Sequence, residues 1–214
     1  MKIRTQVIAG VLVSLAASGA GAAPFAARET HRGLVIERAG GPAARLAPNR
    51  TLFRRPSDPT FVYREGGAVT AAVWETGSSA VVRSGTTESA PIVGRIVPSW
   101  NDNELMLSIE PAAGPAIRTT AFKRTSGGGS DALDRDTSTR EGLEGAYVAT
   151  LTGKDGAKVG SMSVDVDPES ATSFTGDLPS VIPAPLAAAA AQAVDAEVAF
   201  IYESVIDVQP TLRH

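Results

Sequence analysis

The 214-residue chain contains no cysteine, which excludes disulfides, thiolate nucleophiles and thiolate metal ligands. Whatever stability it has comes from packing and backbone hydrogen bonding. Histidine, the commonest general base at neutral pH, occurs twice, as His31 near the start and His214 at the end. Chain ends are ordinarily frayed and solvated, so a Ser-His-acid triad has no central histidine to use. The G-x-S-x-G, H-E-x-x-H and P-loop patterns are absent, and no serine precedes a lysine at the S-x-x-K spacing. Aromatic residues make up 5% of the chain, and the arginines are not interleaved with them, which argues against a nucleic-acid partner.

The first 22 residues, by contrast, have a definite pattern. Lys2 and Arg4 form a short cationic start, residues 7–17 are an uncharged apolar run, and Ala20-Gly21-Ala22 is a small-residue A-x-A triplet. This is the three-part arrangement of a cleavable secretory signal, with the cut expected after Ala22. The apolar run is too short to span a bilayer, which takes roughly 20 residues. No cysteine follows it for lipid attachment. No second stop-transfer stretch is read further on, so no integral membrane segment is expected after cleavage. The expected location is the periplasm or the exterior.

Charge is unevenly distributed. Residues 23–64 hold eight arginines against Glu29, Glu37 and Asp58, a balance of +5. Residues 65–140 come to −2, and residues 141–214, with three basic residues against eleven acids, to −8. A basic front and an acidic back fit an anionic polymer or cell-envelope component as partner. They fit equally well two chain ends that lie against each other.

From residue 33 to 124 the chain reads as short β-prone runs divided by turns. Runs are expected at 33–38, 51–54, 60–64, 68–75, 80–84, 92–97, 104–110 and 116–123. Leu105, Leu107 and Ile109 alternate with Glu104, Met106, Ser108 and Glu110, the pattern of a half-buried strand. Gly77 suits a tight hairpin turn. The expected fold class is therefore mainly β, with an antiparallel sandwich or barrel-like N-terminal part over 23–124. Residues 125–145, with Ser126-Gly127-Gly128-Gly129-Ser130 and only Ala132, Leu133 and Leu143 apolar, read as a flexible linker or long loop. Residues 146–214 read as a smaller α+β part: strands at 146–152 and 157–167, a turn-rich stretch at 174–183, and a short Ala-rich helix starting near Pro185. Residues 197–208 fit a strand or a continued helix. Their β-branched content favours a strand.

Two groups of acids are the candidates for chemistry. Asp102 and Glu104 sit beside Trp100 in an expected turn, an arrangement compatible with carboxylate-dependent hydrolysis at a sugar site. Asp165, Asp167 and Glu169 alternate at an expected strand end, where they would converge on Ca²⁺; the spacing does not match an EF-hand. The bulk of the sequence favours an exported, non-enzymatic binding, structural or surface-assembly protein. A periplasmic carboxylate-dependent hydrolase and a Ca²⁺-stabilised module are the alternatives.

Overall fold

In the computed structural model, residues 22–38, 41–51, 55–137, 139–167 and 172–207 are described. The strand expected at 51–54, the export signal up to residue 21, Glu169 and His214 lie outside them, wholly or for the most part.

The strands β1 (Ala22–Arg28), β2 (Leu34–Arg38), β3 (Ala44–Pro48), β4 (Phe61–Glu65), β5 (Ala68–Thr76), β6 (Ser79–Arg83), β7 (Ile92–Asn101), β8 (Glu104–Pro111) and β9 (Ile117–Thr119) pair in sequence order, each antiparallel to the next. After β10 (Lys123–Arg124) and a single helical turn, α1 (Arg140–Leu143), come β11 (Gly145–Thr152), β12 (Lys158–Val166) and β13 (Ser173–Pro179). β13 pairs with β1 over its whole length, and β11 pairs with β9. These two seams close the sheet into a twelve-stranded barrel and leave no free edge. β10 lies further along the same strand, β11, that β9 pairs with, so β9 and β10 together fill one interrupted position in the wall.

The period-2 pattern of the strands sorts their side chains between lumen and exterior. Leu105, Leu107 and Ile109 on β8, Tyr147, Ala149 and Leu151 on β11, and Met162, Val164 and Val166 on β12 point inward and are at most 3% exposed. The outward positions carry Arg28, Glu37, Arg45, Arg64, Arg83 and Arg95, among others. An apolar lumen with a charged exterior is the inverse of a lipid-facing barrel, whose apolar band is outside.

The lumen is filled by α2 (Ala184–Asp207), 24 residues or about 36 Å of helix. Six consecutive residues, Leu186 to Ala191, are at most 2% exposed, and a helix buried on every face must be surrounded. It touches strands β1, β2, β3 and β5 to β8. The five alanines therefore do more than favour helix: only a slim helix fits between strands on all sides. At Gly94 the fit is closest, for a Cβ there would lie 2.7 Å from both a Leu186 methyl and the Glu110 carbonyl oxygen. The stretch Ala184–Ser204 is long and apolar enough to cross a membrane, but half of it is buried inside the barrel.

Two expectations change, and a third, the linker or long loop at 125–145, narrows to the loop. The strand expected over 197–208 is helix as far as Asp207, because Val194, Val198 and Ile201 continue the buried stripe begun by Leu186 and Ala190. This packing outweighs the modest helix cost of β-branching. The turn-rich stretch at 174–183 is largely strand β13. Residues 125–145 form a long loop tied into the wall: Leu105 N–H donates to the Leu133 carbonyl, Leu133 N–H to that of Phe122, and Arg124 N–H to that of Asp131, at 2.7 to 3.0 Å. Ala132, Leu133 and Leu143, the loop's three apolar residues, are all at most 3% exposed. Residues 132–134 thus bridge β8 and β10 at one end of the barrel, and the segments on either side of the loop belong to one sheet.

Candidate functional site

Alternating strand directions bring the connections after β1, β5 and β7 and the 125–144 loop to one end of the barrel, where α2 also emerges. Most of the acids and the exposed aromatic side chain lie here.

The β7–β8 turn is made by Asp102 and Asn103, both with positive φ (49° and 65°). Asp and Asn tolerate that conformation better than other side-chain-bearing residues, and a two-residue hairpin with both centres at positive φ needs it. Asp102 thus has a structural reason to be where it is. Glu104 begins β8 and forms an ion pair with Lys123. Each of the two carboxylates thus has a local structural partner or role. Trp100 lies beneath the Arg135 guanidinium, 4.2 Å from the ring centre. Arg135 also sits 5.9 Å from the Phe200 ring and 3.7 Å from the Glu197 carboxylate, both on α2. Phe200 is 57% exposed, the most exposed large apolar side chain described. The Trp100 indole N–H is buried with no hydrogen-bond partner among the described residues.

Beside this stack, Arg124 holds the loop. Its guanidinium donates to the carbonyls of Ser130, Gly142 and Glu144 and to the Tyr147 hydroxyl, and it packs 4.7 Å from the Tyr147 ring centre. The Tyr147 hydroxyl in turn donates to the Leu143 carbonyl at 2.9 Å. Burial raises the Tyr147 pKa, with Arg124 opposing the shift. Around this anchor opens a hollow of about 590 Å³ lined by Ser126, Gly127 to Gly129, Thr139, Gly142, Glu144 and Gly145. It presents backbone, the Ser126 and Thr139 hydroxyls and the Glu144 carboxylate.

A second pair of carboxylates assembles on the inner side of the same end. Asp195 of α2 faces Glu29, just past β1, and Thr172, just before β13. Burial first, then the Glu29 charge, pushes the Asp195 carboxyl up to about 6, against hydrogen bonds from Thr172 and Gln192. Glu29 also accepts from the Thr172 backbone N–H at 3.4 Å. No spacing in the sequence signals this pair, because its members are brought together only when the helix threads the barrel.

Of the proposed cation ligands, Asp165 projects outward from β12 between Ala146 and Ser173, and Asp167 follows the strand's end; both are exposed. Among the described residues no group of three or more His, Cys, Asp or Glu side chains is placed to hold a metal ion. His31 is exposed in the β1–β2 connection.

Neither a protein-family model, a curated protein nor a solved structure matches the chain. The geometry itself separates the molecule into a filled interior and a charged exterior.

Proposed function

We propose that this is an exported, non-enzymatic binding or structural module that works through its outer surface. The observation that carries this reading is the packed lumen. Barrels that carry small molecules keep an interior cavity for them, whereas here Ala187 to Ala191 occupy the interior at 2% exposure or less. The placement of Asp102 in a turn and of Glu104 on Lys123 supports the same reading. The export pattern of residues 1–22 supports a location outside the cytoplasm.

The test has two arms. N-terminal sequencing of protein recovered from the extracytoplasmic fraction should read from Ala23. The purified protein should turn over none of a panel of glycoside and ester substrates. Turnover abolished by D102N/E104Q, with the melting temperature unchanged, would establish the hydrolase instead.

The hydrolase alternative has one further support, the Asp195–Glu29 pair, since an acid held near pH 6 beside a second carboxylate is a common general-acid arrangement. Turnover lost in D195N but kept in D102N/E104Q would assign the chemistry there.

A further inference from the structure

The +5 segment of the sequence becomes a face of the molecule, because residues 23–64 build the four neighbouring strands β1 to β4. Register places its arginines further. Arg28 lies opposite Val35, Val35 opposite Arg45, and Arg45 opposite Arg64. All four point outward, since Ala27, Leu34, Ile36, Ala44, Leu46 and Tyr63 beside them fill the lumen. Three arginines therefore stand in one transverse row. Arg45 and Arg64 are direct cross-strand neighbours, an arrangement of like charges that costs a sheet stability. Among the described residues none of the three forms an ion pair; Arg64 reaches only the Gly67 carbonyl, at 3.4 Å. Glu37, two residues beyond Val35 on β2, also points outward, and among the described residues it makes no ion pair with them. Past Arg28 the row continues through Ser173 to Asp165, where the wall turns acidic.

We infer that the row Arg28–Arg45–Arg64 is the docking surface for a linear acidic polysaccharide. This names a ligand class for the outer-surface module proposed above and rests on that reading. Neighbouring strands are about 4.8 Å apart, so the row offers cations at one and two strand spacings. That repeat is of the same order as one carboxylate per sugar ring. Each guanidinium can take a carboxylate bidentately, which suits arginine better than lysine. Curvature sets the shape of the partner. Twelve strands share the circumference at about 30° each, so Arg28 and Arg64, three strands apart, point about 90° apart. A flat bilayer touches such a wall along one strip only, whereas a flexible chain can wrap it. The outward neighbours Val35, Ala47 and Val62 offer no aromatic ring for base stacking, which disfavours single-stranded nucleic acid.

The test titrates the mature chain, residues 23–214, with alginate. The row variant R28Q/R45Q/R64Q is compared with R83Q/R95Q/R118Q, which removes equal charge from other strands of the wall. Expected are wild-type binding that weakens as salt is raised, a loss of about tenfold or more in the row variant, and less than about twofold in the other. Melting curves check folding, and the single variants R28Q and R64Q, both at exposed positions, serve if the triple variant unfolds. No wild-type binding to alginate, or equal loss in both triple variants, would overturn the inference. So would tighter binding to phosphatidylglycerol vesicles than to alginate. Those outcomes leave the outer-surface module standing, because that reading fails on enzymatic turnover and not on this titration.

Discussion

Arg45 and Arg64 on the wall and Ala187 to Ala191 in the lumen show how differently the two surfaces of the same strands are used. In the lumen Ala187 to Ala191 are at most 2% exposed, and the run itself carries nothing ionisable. On the wall, two like charges stand opposite each other, and among the described residues no acid is paired to either. The alanine run of the interior is packed tightly against the strands. The exterior tolerates a local cost, and a cost kept at the surface is where a partner is sought.

Filling the lumen further gives the largest expected effect. Ala188 is 0% exposed, so Ala188→Phe should force the helix against the strands and cost about 3 kcal/mol or more, read from urea unfolding. A tolerated phenylalanine would mean that the lumen has spare room, and the contrast with the wall would collapse.

Arg124 sharpens the comparison from the other side, as an arginine whose donors are all directed at carbonyls and a tyrosine hydroxyl. Arg124→Ala should cost about 2 kcal/mol and expose residues 125–145 to protease. The outer-row variants should leave that loop resistant.

Asp195 gives a smaller, pH-dependent effect. Its folded pKa of about 6 lies above the ordinary value of 3.8. The folded state therefore holds the proton more tightly, and the stabilisation is complete below about pH 4 and lost as pH rises through about 6. Asp195→Asn should raise the melting temperature at pH 7.5 and leave it nearly unchanged at pH 4. The same shift at both pH values would show that the carboxyl is not held protonated.

Arg45→Gln should change least, stabilising the fold by about 0.2–1 kcal/mol through relief of repulsion from Arg64. The gain should shrink at high salt. A destabilised variant would mean that Arg45 serves the fold after all.

Strands with strong apolar–polar contrast were legible, as at Leu105, Leu107 and Ile109. β1 was not, because its inward Phe25 and Ala27 alternate with Pro24 and Ala26, which offer little contrast. Pro24 is tolerated because β1 pairs with β2 only from Phe25 onward, leaving that position with a neighbour on one side. β13 was hidden by Gly176 and its flanking turn residues. The 125–145 loop looked too polar to order itself, and three buried apolar side chains with one arginine suffice to hold it. The regional charge was plain in the sequence, but the row itself depends on strand register. The Asp195–Glu29 pair depends on where the helix leaves the barrel, which no local pattern encodes.

The most direct test of the plugged barrel is native-state hydrogen exchange of the α2 amides. If the helix is an integral core, Ala187 to Ala191 will exchange only through global unfolding, as slowly as the central amides of β7 and β8, and alginate will slow both sets by the same factor. Exchange faster than in those strands would show the helix leaving the lumen while the barrel stays closed. That result would turn the filled interior into a gated chamber and contradict the account.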